Sequence, residues 1–222
     1  GTSEMIQISG NGRYVVFASW ASNLVLDDND TQMDVFRFDR QTKTTELVSV
    51  DETHSDGGAG WPQVSSDGRF VAYISPGTGD RHRAVVRDMT TGVASFVADD
   101  YTGPPALSGD GRYLATVRND EPGVTFPKGT LLIYDLRSGA IAWSVPVDRS
   151  ADPLFIGQEF RLSENGRWLT FLAGEIQGAT CERRTTQEGA TDEAGHGHHQ
   201  AVQARRREDR VEGDRRRRVD RQ

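Results

Sequence analysis

The amino-acid sequence predicts an all-β fold, a partial β-propeller of four-stranded antiparallel blades with three complete blades and half of a fourth. A short turn signature occurs four times along the chain, and each copy is followed by an apolar run that begins with an aromatic residue. Internal repetition of this kind is typical of repeat architectures. An abrupt change of composition after Thr180 predicts a disordered C-terminal tail outside the fold.

The turn signature is the pentapeptide Ser-x-(Asn/Asp)-Gly-Arg. Its Gly-Arg pairs are Gly12 and Arg13, Gly68 and Arg69, Gly111 and Arg112, and Gly166 and Arg167. The glycines lie 56, 43 and 55 residues apart. Asn-Gly or Asp-Gly between two apolar stretches is a strong hairpin signal, because the turn requires a positive φ that glycine tolerates. Each signature therefore predicts a hairpin between the first and second strands of a blade.

The predicted third strand of each complete blade ends in an aspartate. These residues are Asp39, Asp88 and Asp135, and a polar turn and a fourth strand-length run follow each of them. Four antiparallel strands in a unit of about 45 residues correspond to one propeller blade. Because the aspartates recur at equivalent places, we expect them to cap the turns that follow. A β-sandwich with similar hairpins is the alternative architecture.

The repeats resemble those of a known family. The first reads SGNGRYVVFASWASNLVLDDNDTQMDVFRFDRQTKTTELVSV, and the second contains PQVSSDGRFVAYIS. Both stretches resemble the TolB-like, WD40-like (PD40-type) repeats of bacterial β-propellers. On this basis we expect propeller blades over residues 1–176 and a low-complexity, Arg-rich tail over 177–222.

The resemblance also carries expectations about function. It implies a non-enzymatic module that binds a protein or another ligand through its loops, as a fragment of a larger cell-envelope or secreted bacterial protein. The first alternative is the propeller portion of an enzyme, such as a serine peptidase whose catalytic domain is absent here. The second is a catalytic propeller that uses its own loop carboxylates. A periplasmic or extracellular location rests on the resemblance alone, since the opening GTSEMIQISG shows no signal-peptide pattern.

Charge and cysteine content argue against several kinds of partner. The chain of 222 residues has a formal net charge of −7, and residues 1–180 hold 15 basic and 24 acidic residues. An acidic body repels phosphate, so no nucleic-acid partner is expected. The single cysteine, Cys181, allows no intrachain disulfide and no zinc site with several cysteine ligands. No window holds the roughly 18 uninterrupted apolar residues of a membrane span, and no cofactor is predicted.

The loop after the second strand offers a candidate metal site. Asp28, Asp30 and Asp34 alternate along the chain in the way that the oxygen ligands of a calcium loop do. Met33 stands where an EF-hand loop has its glycine, which departs from that pattern. The sequence therefore leaves two interpretations, a calcium site and a solvated surface loop.

Other chemistry is sparse. No Gly-x-Ser-x-Gly elbow occurs, and neither His54 nor His82 has an evident nucleophile partner, so no catalytic residue is predicted. Trp20 and Trp61 lie in predicted loops, where an exposed ring can contact a partner or can only cover a blade edge.

The tail has a composition unlike the rest of the chain. Residues 181–222 include 11 Arg, no Lys and no aromatic residue, too little apolar surface to form a core. We expect no functional metal or nucleic-acid binding from its histidines, residues 196–199, or from its arginine runs, residues 205–207 and 215–218. The break occurs where the fourth blade needs a third strand, which suggests a message read out of frame. The alternative is a helix over residues 201–218 that covers the open blade edge.

Overall fold

The computed structural model describes residues 1–28, 30–50, 58–77, 82–99, 103–120, 129–147, 161–172 and 199–203. Within these ranges the chain forms fifteen β-strands in four sheets. The described residues contain no helix, and hence no helix that is long and apolar enough to cross a membrane.

Each of the first three sheets has four strands in chain order, and all neighbours are antiparallel. Blade 1 consists of β1 (Ser3–Ile8), β2 (Tyr14–Ser19), β3 (Asp34–Asp39) and β4 (Thr44–Leu47). Blade 2 consists of β5 (Gly60–Val64), β6 (Phe70–Pro76), β7 (His82–Asp88) and β8 (Ala94–Asp99). Blade 3 consists of β9 (Ala106–Leu107), β10 (Tyr113–Asn119), β11 (Gly129–Asp135) and β12 (Ala140–Val147). The predicted fold class, with four-stranded antiparallel blades, is confirmed.

The fourth sheet has three strands, β13 (Arg161–Leu162), β14 (Trp168–Leu172) and β15 (His199–Gln203). The first two form the predicted half blade. β15 comes from the tail and pairs with β14 in antiparallel register. At these five residues the structure differs from the expected disordered tail, and residues 201–203 lie in a strand rather than in the alternative helix. The physical reason is the open edge of β14, whose backbone N–H and C=O groups any extended segment can satisfy.

The tail strand differs from the third strands of the complete blades in one respect. In those blades the aromatic residue after the signature lies opposite the aspartate that ends the third strand, in the pairs Tyr14↔Asp39, Phe70↔Asp88 and Tyr113↔Asp135. In the fourth sheet Trp168 lies opposite Gln203. The tail strand therefore pairs with the backbone of β14, but it has Gln203 at the position where the complete blades have an aspartate.

The signature turns form because each polar group of the pentapeptide has a partner. In the first turn the Ser9 hydroxyl donates to Asn11 Oδ1 at 2.7 Å and accepts the amide of Tyr14 at 2.9 Å. Asn11 Oδ1 also accepts the amide of Arg13, and Gly12 takes a φ of 68°. The other three turns repeat these bonds, and their glycines have φ between 65° and 80°.

The core consists of three clusters, each between two neighbouring sheets. Between blades 1 and 2, the buried side chains are mainly valines, with Tyr73 in the middle strand of the second sheet. A second cluster includes Ile74 of blade 2 and Leu114 of blade 3, and a third joins Ile133 of blade 3 to Leu169 of β14. The first strands β1, β5, β9 and β13 contact one another in succession. Sheets stacked in this way around their first strands are the blades of a propeller.

Candidate functional site

The chain direction places two kinds of loop at opposite ends of the blades. Because every blade is an antiparallel meander, the turns after its first and third strands share one end, here named the signature end. The loops after the second and fourth strands share the other end, here named the loop end. Trp20, Trp61 and the aspartates from Asp28 to Asp34 all lie at the loop end.

Trp20 and Trp61 are exposed, at 44% and 42% of their maximal surface. Trp20 directly follows β2, and Trp61 lies in a bulge of β5 between Gly60 and Gln63, where its φ is 50°. A bulge inserts an extra residue and redirects its side chain. A positive φ is uncommon for a bulky residue, so this backbone conformation must be held in place by its surroundings.

Methionine side chains from blade 1 support the bulge at Trp61. The amide of Trp61 donates to Met5 Sδ at 3.2 Å, and Met5 lies in the matching bulge of β1 with a φ of 56°. A Cβ added to Gly60 would lie 3.0 Å from Met33 Cε and 3.5 Å from Met5 Sδ. The glycine therefore lets two methionines approach the backbone just before Trp61.

Asp28, Asp30 and Asp34 come together at the loop end. Each can place one carboxylate oxygen within 4.8 Å of the others. All three already accept hydrogen bonds: Asp28 from the Asp30 amide at 3.4 Å, Asp30 from the Gln32 amide at 2.7 Å, and Asp34 from the Ser49 hydroxyl at 2.5 Å. Calcium in proteins takes six to eight oxygens, of which these carboxylates would supply about half or fewer. The bonds to Asp28 and Asp30 lie within the loop, and the bond to Asp34 comes from Ser49, just after β4.

At the signature end, the signature arginine of each complete blade pairs with the aspartate that ends the third strand. Arg13 Nη2 lies 2.6 Å from Asp39 Oδ2, and its Nε also donates to that carboxylate. The same pair recurs at 2.7 Å between Arg69 and Asp88 and between Arg112 and Asp135. The aspartates also accept the amide two residues further on, at distances between 2.8 and 3.1 Å.

These guanidinium groups change the acidity of the aspartates. The hydrogen bonds from Arg69 lower the pKa of Asp88 to about 2, against the smaller opposing effect of burial. Arg13 and Arg112 likewise lower the pKa of Asp39 and of Asp135. The pairs thus tie the first turn of a blade to its third strand through charged hydrogen bonds.

The aromatic residue after each of the first three signatures contacts the next blade. A Cβ added to Gly68 would collide with the ring of Tyr14, and Gly111 stands in the same relation to Phe70, as Gly166 does to Tyr113. The signature arginine also lies over each of these rings, with its guanidinium carbon 4.8 to 4.9 Å from the ring centroid in the three complete blades. Gly68, Gly111 and Gly166 therefore each serve both their own turn and the packing of the preceding blade.

Sequence reasoning missed a second arginine between blades 1 and 2. Arg37 is 9% exposed; its Nη1 donates to the Gly68 carbonyl at 2.6 Å, and its Nη2 to Glu46 at 2.8 Å. Its guanidinium carbon also lies 4.5 Å from the centroid of Tyr14. The only available signal was a charged residue in the middle of the apolar run of β3.

Several residues considered in the sequence lie outside the described ranges. These are His54, Cys181, residues 196–198 of the histidine tract and both arginine runs of the tail. His82 is described and is exposed at the start of β7.

Comparison with known proteins identifies the fold. No family model matches the sequence, and no curated protein matches it. The β-propeller domain of the Trilobed protease from Pyrococcus furiosus matches with a TM-score of 0.54 and 13% identity, over 78% of this chain and 50% of that chain. Acylaminoacyl peptidase from Pyrococcus horikoshii matches with a TM-score of 0.52 and 14% identity, over 78% of this chain and 28% of that chain. TolB from Acinetobacter baumannii matches with a TM-score of 0.50 and 15% identity, over 67% of this chain and 33% of that chain.

The chain is thus a β-propeller module. Its fold is TolB-like, as the signature repeats indicated, and it spans half or less of the length of these three structures.

Proposed function

We propose that this chain is a non-enzymatic binding module whose loop end contacts another protein. The observation that carries the proposal is the exposure of Trp20 and Trp61 at the same end of two neighbouring blades. Tryptophan contributes more than most residues to the binding energy of protein interfaces, because a single ring buries a large apolar area.

The backbone around Trp61 favours a role in binding. The β5 bulge fixes the residue at a φ of 50°, and Met5 holds its amide from the neighbouring blade. A backbone held in one conformation loses less conformational entropy when a partner binds. We therefore assign Trp61 as the main anchor and Trp20 as the second.

Charge suggests the character of the partner surface. Asp27, Asp28 and Asp30 lie at the same end as the two tryptophans. Charges around an apolar contact select partners of opposite sign and increase the association rate. The loop end is suited to an apolar pocket bordered by Lys or Arg.

A second candidate is the propeller portion of a peptidase whose catalytic domain lies outside this chain. The observation that favours it is the similarity to propeller-containing peptidases, the Trilobed protease and acylaminoacyl peptidase. In that case the partner of the loop end is a hydrolase domain.

Site-specific photo-crosslinking in extracts of the source organism tests the proposal. A photoreactive residue at Thr31 probes the loop end, and one at Lys43, which is also exposed, serves as the control at the signature end. We expect a cross-linked protein from position 31 alone. Trp20→Ala with Trp61→Ala should lower its yield at least about tenfold, because each interface tryptophan commonly contributes more than about 1 kcal/mol.

Two results contradict the proposal: equal cross-linking from both positions, or a yield that the tryptophan substitutions leave unchanged. A cross-linked partner that reacts with a fluorophosphonate probe favours the peptidase candidate, since that reagent labels active serine hydrolases.

A further inference from the structure

The face of blade 1 that points away from blade 2 is apolar and partly open. The register places Ile8 opposite Val15 and Val15 opposite Phe38, so these three side chains share that face. Ile6 and Ile8 are 63% and 56% exposed. An apolar face of this kind in a stacked-sheet protein is normally covered by another sheet.

The corresponding face of blade 2 shows what covers it. Val64, Val71 and Tyr73 stand 56 residues after Ile8, Val15 and Phe17, at the same places of the repeat. Blade 1 packs on them, and Val71 and Tyr73 are completely buried. The two faces have the same chemistry and differ in whether a preceding blade is present.

The signature turns show the same difference at both ends of the stack. Gly68, Gly111 and Gly166 each carry the aromatic ring of the preceding blade. At Gly12 an added Cβ would meet nothing nearer than Arg40 Nη1, at 4.0 Å. Trp168 is the aromatic residue of the fourth signature and is 44% exposed.

Backbone hydrogen bonds between neighbouring turns repeat along the stack. An amide of each turn donates to the carbonyl of the second signature residue in the next turn: Asn11 to Ser66 at 2.9 Å, Ser66 to Gly109 at 2.7 Å, and Asp110 to Glu164 at 2.7 Å. The first turn offers the Gly10 carbonyl in the accepting position, and the last turn offers the amides of Glu164 and Asn165. The two ends of the stack therefore present complementary halves of one contact.

We propose that two copies of this chain associate head to tail, with Trp168 of one copy packed on Gly12 of the other. The fourth sheet then covers the open face of blade 1 around Ile8. Two chains of four sheets each give eight sheets, and closed propellers have about four to eight blades. The contact is heterologous, since different surfaces of the two copies meet.

Light scattering coupled to size exclusion tests the association. We expect the wild-type chain to shift with concentration from 24.5 kDa towards twice that mass. Trp168→Ala and Gly12→Ala should each abolish the shift, the second because a Cβ would occupy the site of the ring. Ile8→Asp tests the same face without touching a turn glycine, in case Gly12→Ala impairs folding. Trp143→Ala is the control, since Trp143 packs inside the stack against the cluster between blade 3 and the fourth sheet.

Mixing the two variants tests the head-to-tail geometry. Trp168→Ala retains an intact Gly12 face, and Gly12→Ala retains an intact Trp168, so an equimolar mixture should regain one contact and form a heterodimer. The double variant, with both Trp168→Ala and Gly12→Ala in one chain, should stay monomeric at the same total concentration. A wild-type chain that is monomeric at its highest soluble concentration overturns the proposal, and so does a mixture that forms no heterodimer while the wild type does.

Discussion

The ring of Tyr14 lies directly on Gly68, so blade 1 and blade 2 meet at a position where only a hydrogen fits. Gly68 also has a φ of 80°, which its own turn requires. One glycine thus satisfies two demands, the left-handed backbone of a hairpin and the close approach of the neighbouring blade. The same relation occurs at Gly111 and Gly166, which explains why the signature recurs with so little variation.

The pair between Arg69 and Asp88 should make the protein sensitive to acid. The pKa of Asp88 is lowered to about 2, whereas the pKa of an aspartate in the unfolded chain is about 3.9. Because the folded pKa is the lower one, the stabilisation is present above about pH 4 and is lost as the pH falls towards 2. Asp88→Asn, whose Oδ1 can still accept the Thr90 amide, should cost up to about 1 kcal/mol at pH 7.

Urea denaturation at pH 7 and pH 3 measures this effect. The free energy of unfolding should depend less on pH in Asp88→Asn than in the wild type. Arg69→Gln is the partner variant, and the coupling energy between the two substitutions should fall at the lower pH. A coupling that is equal at both pH values contradicts the assignment.

Thr116 places an unsatisfied hydroxyl in the core of blade 3. Its side chain is fully buried, and no described group lies within hydrogen-bond distance of its Oγ1. Valine has nearly the same shape, so Thr116→Val should raise the free energy of unfolding by about 1 kcal/mol. Thr116→Ser, which keeps the hydroxyl and loses a methyl group, should lower it by about 1 kcal/mol. A destabilised valine variant in urea denaturation would indicate that the hydroxyl has a partner after all.

Much of the fold could be predicted because its signals are local. Each signature specifies a hairpin within five residues, and the strands on either side alternate in a regular way. The Arg69–Asp88 pair went unnoticed although a signal was present. Arg69 directly precedes the second strand of blade 2, and Asp88 ends its antiparallel third strand. The register of this hairpin places the two residues side by side, so it alone brings the two charges together.

Other features had no sequence signal. The bulge at Trp61 has a positive φ at a bulky residue, and nothing in the local sequence distinguishes it from a regular strand start. The contact of Met5 with Trp61 joins positions 56 residues apart. The pairing of β15 depends on the open edge of β14, a property of the assembled sheet and not of the tail sequence.

The loop from Asp28 to Asp34 should be held by its own hydrogen bonds. Asparagine at position 30 can still accept the Gln32 amide, so Asp30→Asn should leave the melting temperature within about 2 °C or raise it slightly, by relief of carboxylate repulsion. Millimolar calcium should leave the melting temperature of the wild type unchanged in differential scanning calorimetry. A rise with calcium that is absent from Asp30→Asn, and still present in an Asp120→Asn control, would establish a calcium site.

Removal of residues 181–222 should affect β14 more than the rest of the chain. β15 pairs with β14 from Trp168 to Leu172, so the amides that face β15 should exchange faster in the truncated chain. The three complete blades do not pair with the tail strand, and their stability should change by less than about 0.5 kcal/mol. Unchanged exchange of the β14 amides in hydrogen-exchange mass spectrometry would show that the tail does not pair in solution.

A double-mutant cycle on Tyr14 and Gly68 tests most directly the claim that one glycine serves both turn and blade packing. Gly139→Ala is the control, because its φ is 68° and nothing lies within 4 Å of the added Cβ, so it should cost about 1 to 2 kcal/mol from the backbone alone. Gly68→Ala should cost about 1 to 3 kcal/mol more, since it also displaces the ring. In a Tyr14→Ala background the cost of Gly68→Ala should fall to that of the control, measured by urea denaturation. Costs that add within about 0.5 kcal/mol would contradict the account, because independent sites are additive.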